Sequence, residues 1–460
     1  MSTPCGVAIL TMVTPRRNLA LHIGVALVIV AVMLSGRLLE ATVFPSGTIV
    51  GTNRKAGALL SVQAVFAAVG VYLIARRPRV TAVHVTAFVL LGSMTAAAAA
   101  ALLQLAYVPP RLVSGWKAFA APAERNQLGF RGQRIDYATE DYVVVLLGDS
   151  QVEAMGLPFQ SMPERALEAH LQIPNRRTRV FSIGAGAYGT DQEYLAIEQY
   201  LAQYRADLVV LWQTPANDIW NNMFNTHMAS RNPKPTFWLD EARHLQGPSE
   251  RLGEPLAASG VVAISLFERT VGLPFRERSW ERRLPEPYQP LEGYKGPVRL
   301  EWQQRWDTNL GRMRDEELDT EKSHMAVRLT PRSPRMQYGL DLTRSLMHRI
   351  KAAVERQNGT LVVMQEVPPR NPDEPDEAVY VLQGKYFRTS TAQERSNWEY
   401  VNNGFPTELV PVTVPDWRIS RDDAHLNKDA TAQVMADLAD RLRVQLEGSR
   451  KPALAVRIDG

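Results

Sequence analysis

Residues 141–156 read DYVVVLLGDSQVEAMG. From Val143 to Leu147 the run is wholly apolar with β-branched types leading, the composition of a strand buried on both faces, as in the parallel sheet of an α/β protein. It stops at Gly148-Asp149-Ser150, and the residues beyond suit a helix. Ser150 therefore has two readings. It is a helix N-cap, a role serine often fills, or a nucleophile at the carboxyl edge of a central strand, where open α/β sheets place their chemistry.

Outward from this stretch the pattern alternates in the manner of an α/β fold. A helix is expected around Pro163–Leu171, a strand over Arg179–Ile183, a helix from Asp191 to about Tyr204, and a third strand over Asp207–Trp212 that runs into QTPANDIWNN. Thr190-Asp-Gln-Glu193 has the form of a capping box, in which the hydroxyl and the carboxylate satisfy each other's backbone amides. Residues 231–336 then lose periodicity and are rich in Arg, Glu, Pro and Trp, which reads as an insertion or lid. Its tryptophans, Trp238, Trp280, Trp302 and Trp306, could stack on sugar rings or form a small core of their own. The alternation resumes with a helix from about Leu340 to Gln357, a strand over Thr360–Gln365, a short strand near Val410–Val414 and a last helix from about Lys428 to Leu446. A tail, 448–460, follows.

The chain has 460 residues, a formal charge of +4 and one cysteine, Cys5. So small a charge, without interleaved aromatic and basic residues, implies no nucleic-acid partner. A lone cysteine excludes an internal disulfide framework and a Cys/His metal cluster, and no cofactor motif is present. Residues 1–108 form a membrane region. Segments 18–36, 56–75 and 85–108 carry no charge, and each is near the roughly 20 residues that cross a bilayer core, so three transmembrane helices are expected. Arg16, Arg17, Arg76, Arg77 and Arg79 outweigh Arg37, Arg54 and Lys55, which puts the N-terminus inside and everything after Val108 outside the cytoplasm, periplasmic in an inner-membrane protein of a Gram-negative bacterium. Residues 109–142, including NQLGFRG at 126–132, read as a connector laid onto the following domain, 143–447.

The last helix is preceded by SRDDAHLN. Asp422 and His425, three apart in a loop, are spaced so that the carboxylate can take the proton of one ring nitrogen while the other points outward as a base for Ser150. Asp423 is a rival orienter with poorer reach. Donors for an oxyanion are offered by the side-chain amide of Asn217, by backbone N–H groups near Ala187 in IGAGAYGT, and by the amide of Ser150 at a helix start with a favourable dipole. Taken singly, each has a plain structural alternative in capping or turn geometry.

Together these blocks resemble the SGNH, or GDSL-type, hydrolase family. Gly148-Asp149-Ser150 is similar to its first block, Ser182–Gly189 to the second, Pro215-Ala216-Asn217-Asp218 to the third and Asp422–His425 to the fifth. The likeness covers about residues 126–230 and 337–447. It implies a flavodoxin-like three-layer α/β/α sandwich, Ser150 as nucleophile, His425 as general base and acid, Asp422 as its orienter, and Asn217, Ala187 and Ser150 around the oxyanion. Three positions depart from the family pattern: Ser182 stands where Asn is usual, Ala187 where a glycine is usual, and Pro215 where Gly is usual. The expected activity is an ester hydrolase acting on O-acyl, above all O-acetyl, groups of an envelope glycan or exopolysaccharide. The alternatives are an O-acyltransferase fed by a membrane acyl-donor partner, or a catalytically idle glycan-binding or assembly module.

Overall fold

The computed structural model describes residues 18–35, 53–78, 80–106, 122–227, 234–249, 280–308, 317–370, 374–421 and 423–448. The chain divides into two compact units, the first carrying the apolar N-terminal helices and the second the sheet.

The sheet has five strands, β1 (Tyr142–Gly148), β2 (Thr178–Gly184), β3 (Leu208–Trp212), β4 (Thr360–Val367) and β5 (Thr407–Pro411), in the order β2-β1-β3-β4-β5. Every pairing is parallel. This is the doubly wound order whose crevice opens where the winding reverses, between β1 and β3. Helices α4 (Ser150–Glu153), α5 (Pro163–His170), α6 (Thr190–Leu201), α7 (Pro215–Met223), α8 (Pro334–Glu355) and α9 (Lys428–Gly448) make the crossovers and close the domain. The apolar helices that precede them are α1 (Asn18–Met33), α2 (Asn53–Arg76) and α3 (Ala82–Ala106).

Strand β1 lies inside the sheet, paired on both edges, and both of its faces are apolar. Val143 to Leu147 are all fully buried, as their composition predicts. Val144 and Leu146 pack with Val210, Trp212 and Met364 against Leu167 of α5 and Leu438 and Leu442 of α9, while α6 packs on β1 and β2, and α8 on β4, outside this cluster. Each such side chain contributes about 1.5–3 kcal/mol on burial. At the carboxyl edge the strands end in glycine where chains crowd: a Cβ on Gly148 would lie 2.7 Å from Val152 Cγ2, and one on Gly184 2.8 Å from the Gly148 carbonyl.

Three local expectations are corrected. The capping box does not form: α6 is capped from Gly189, its Asp191 amide donates to Asn222 Oδ1 at 3.0 Å, and the Thr190 hydroxyl and Glu193 carboxylate have no hydrogen-bond partner among the described residues. SRDDAHLN is not an open loop, because Arg418–Ser420 (β6) pairs antiparallel with Asp423–Leu426 (β7). The hairpin Glu377–Leu382/Lys385–Ser390 and helix Thr391–Asn402 occupy chain that reads as irregular. In the insertion, Trp280 and Trp302 are buried, and Trp280 donates through Nε1 to the Met223 carbonyl at 2.6 Å, so these two rings serve packing.

In the N-terminal unit two helices, α2 and α3, are long and apolar enough to cross a bilayer. The expectation of three is met by α1 only in part: its 16 residues rise about 24 Å, short of a core about 30 Å thick. Helices α1 and α2 meet at two glycines, where a Cβ on Gly70 would lie 2.8 Å from the Gly24 carbonyl. Overpacking such a contact costs about 1–3 kcal/mol or more. Gly70→Leu is therefore expected to lower the thermal midpoint of the full chain in detergent micelles, whereas Gly92→Leu, facing open space, leaves it in place; equal effects would refute the close crossing.

Candidate active site

The register sets three turns side by side, since Gly148 pairs with Gly184 on one flank and with Trp212 on the other. After β1 the chain makes one turn of helix, α4, stopped by Ala154 in the left-handed region at φ 48°. Its N-cap is Asp149, whose Oδ1 accepts from the Gln151 amide at 2.9 Å. The capping role is thus filled by Asp149, and Ser150 is the half-buried first helical residue. Four residues are too few to supply the helix dipole expected at its amide.

After β3, Asp218 serves the helix start, its Oδ2 accepting from the Thr214 amide at 3.1 Å. Asn217 is thereby released from capping. Its buried Nδ2 donates to Asp149 Oδ2 at 3.0 Å, which leaves that amide a second N–H. After β2, Ala187 is buried with φ 60°, a backbone state that costs a non-glycine residue about 1–2 kcal/mol and explains why a glycine would suit the position. The preceding amide, Gly186 N–H, donates to Glu153 Oε2 at 2.6 Å, tying this turn to the end of α4.

His425 lies on β7, its side chain 40% exposed. Its Nδ1 bonds the carboxylate of Asp423, which also accepts the His425 amide at 3.0 Å. The orienting contact is therefore made by the carboxylate that sequence spacing ranks second; Asp422 lies outside the described residues. Pairing in a strand puts residues two apart on one face, which a loop reading misses. Burial pushes the Asp423 carboxyl up, and the bonds from the His425 ring and amide outweigh it, holding the group below the usual range. Strand β7 is docked to the nucleophile turn: the Leu426 amide donates to Gln151 Oε1 at 3.4 Å, and Gln151 Nε2 donates to Glu366 Oε1 at 3.4 Å. Ser150 and His425 are thus the immediate neighbours of two residues bonded to each other. His425 is close enough to act electrostatically on Asp149 and Glu153.

The connector reaches beneath this rim. Arg131 of NQLGFRG is 3% exposed; its guanidinium donates to the carbonyls of Glu153, Ala154 and Leu157, at 3.2 Å and 2.8 Å for the first and last, and pairs with Glu124 at 2.8 Å. Asn126 Nδ2 donates to the Ser182 carbonyl at 3.0 Å. NQLGFRG marks this segment as one laid onto the domain; what it does not mark is that Arg131 and Asn126 act on backbone carbonyls of other segments, as Glu153 acts on a backbone amide.

Carboxylates crowd below the turns. Desolvation raises Asp149, Glu193 and Asp218, and repulsion among them raises the latter two further. Buried Glu164 is pushed up to about 7. Protonated in the fold while ionised in the unfolded chain, such groups add stability that is complete below the unfolded value and is lost as pH rises through the folded one; a group moved from 4.5 to about 7 contributes on the order of 3 kcal/mol. His227 and His324, held down to about 4 by desolvation, act in the opposite sense, but only below 6.5. Stability is therefore expected to fall from about pH 6.5, where the histidines cease to oppose the trend, to about pH 7, where Glu164 is ionised in both states, and Glu164→Gln to flatten the decline, as read from denaturation midpoints. A midpoint that rises over that interval would contradict the assignment.

No protein-family model matches the chain, and no curated protein matches it. Among solved structures it is similar to the psychrotrophic esterase EstA from Pseudoalteromonas sp., inhibited by monoethylphosphonate, with 10% identity, a TM-score of 0.31, and coverage of 67% of this chain and 100% of that one. It is also similar to a provisionally assigned arylesterase from Agrobacterium tumefaciens str. C58, with 12% identity, a TM-score of 0.30, and coverage of 66% and 99%.

Proposed function

We propose that the chain is a membrane-anchored serine esterase of the SGNH type. What supports this reading is a set of bonds around the winding reversal of the sheet: Asn217 to Asp149 beside Ser150, the Gly186 amide to Glu153, Leu426 beside His425 to Gln151 beside Ser150, and the His425 imidazole to a carboxylate. In the reaction His425 takes the Ser150 proton through Nε2 while Asp423 holds Nδ1, and Ser150 Oγ attacks an ester carbonyl. The oxyanion is received by the free N–H of Asn217 and the amides of Ala187 and Ser150, each such donor supplying about 3 kcal/mol. His425 then protonates the leaving alcohol, and water activated by the same ring releases the acid.

The apolar helices α2 and α3, with Phe88, Leu91 and Met94 exposed, support anchorage in a lipid bilayer. The arginine bias of the short loops supports an inner membrane with the catalytic domain on the periplasmic side. A tethered esterase there would act on O-acyl groups, above all O-acetyl groups, of an envelope glycan or exopolysaccharide. The test is product analysis with the full chain in detergent. It should release acetate from p-nitrophenyl acetate and from an O-acetylated glycan. Acetate appearing on an added glycan acceptor instead would make it an acyltransferase, and a folded chain doing neither would leave a binding module.

A further inference from the structure

Residues Ala185 to Tyr188 form a β-turn closed by the Tyr188 amide donating to the Ala185 carbonyl at 3.2 Å. Its third residue, Ala187, has φ 60°, and Gly186, its second, is not among the positive-φ glycines. That combination defines a type II turn, which requires positive φ at the third position and so ordinarily glycine or asparagine. Type I differs from type II mainly by a flip of the central peptide, here Gly186–Ala187, and its third residue has the negative φ that alanine prefers. Left to itself this turn would relax to type I. The flip would reverse the peptide that carries the Ala187 N–H.

One side chain holds the carbonyl of that same peptide. His227 Nε2 lies 2.9 Å from the Gly186 oxygen. A carbonyl only accepts, so the ring must carry its proton on Nε2 and donate. His227 is 3% exposed, and burial keeps it uncharged at neutral pH, with its titration held down to about 4. On either side the clamp continues, through the Gly186 amide to Glu153 and the Ala187 carbonyl to Asn221 Nδ2 at 3.5 Å. A donor bound at a peptide's oxygen also polarises its N–H, strengthening it as a donor in turn.

We propose that His227 is a positioning residue for the esterase reaction, selecting the strained type II turn that aims the Ala187 N–H at the oxyanion. The inference rests on the esterase reading. It accounts for alanine at a glycine position: the histidine's hydrogen bond supplies the preference that the backbone lacks.

The test uses the full chain in detergent with p-nitrophenyl acetate. His227→Phe, which keeps the ring volume and loses the donor, is expected to lower kcat about 30-fold with KM within about twofold, because the interaction is made in the transition state. Adding Ala187→Gly, which removes the turn's bias against positive φ, should recover most of that loss. His227→Gln, which keeps a donor, should fall between the native chain and His227→Phe. Hydrolysis by the native chain that Ser150→Ala abolishes, together with unchanged kcat in folded His227→Phe, would overturn the inference and leave the esterase reading intact. A loss in His227→Phe that Ala187→Gly does not relieve would likewise overturn it, marking a merely structural role. A native chain without hydrolysis would remove the esterase reading and the role of His227 with it.

Discussion

Ser150→Ala is expected to reduce ester hydrolysis by the full chain at least about ten-thousandfold and to abolish labelling by a fluorophosphonate, with the thermal midpoint unchanged. The magnitude follows from the proposed mechanism, in which the Ser150 hydroxyl forms the acyl intermediate; what would survive is transition-state binding by the remaining donors, typically a small residual over water. The stability expectation follows from position. Ser150 is half-buried and Asp149 already caps α4, so the hydroxyl is not needed to start the helix. Labelling at another residue, or hydrolysis undiminished in the variant, would remove Ser150 from the mechanism.

Asp423→Asn should lower kcat about a thousandfold or more while Asp422→Asn leaves it within severalfold. Asp423 accepts from the His425 ring and, with the same oxygen, from the His425 amide. An amide in its place can present its N–H₂ to the ring, which favours the tautomer protonated on Nε2, the one unable to take the serine proton. Both carboxylates precede the histidine by two or three residues in the sequence, so charge alone does not separate them; the place of Asp423 on the same strand face as His425 favours Asp423. The opposite ranking of the two variants would return the orienting role to Asp422.

How much of this was legible in the linear chain differs by element. The α/β character of the sheet was readable because β1, β2 and β3 are short, mostly apolar runs that lead into turns containing Gly or Asn, and burial on both faces demands that composition. Ser150, Asn217, Ala187 and His425 stood out as candidates because each lies in a turn after such a run or just before a helix. The hairpin Glu377–Leu382/Lys385–Ser390 was not, since its strands are half exposed and their alternation is diluted by charge. Nor was α1 distinguishable in length from α2 and α3, because uncharged residues mark a span without marking where the helix ends.

The sequence by itself determined the elements and the chemical types at their ends, since apolar periodicity and turn residues act over a few neighbours. Tertiary structure alone decided which groups work together. Asp149 meets Asn217 across 68 positions, His227 meets the Gly186 carbonyl across 41, and Leu426 meets Gln151 across 275. A hydrogen bond depends on atoms a few ångströms apart in space, and separation along the chain carries no record of that distance.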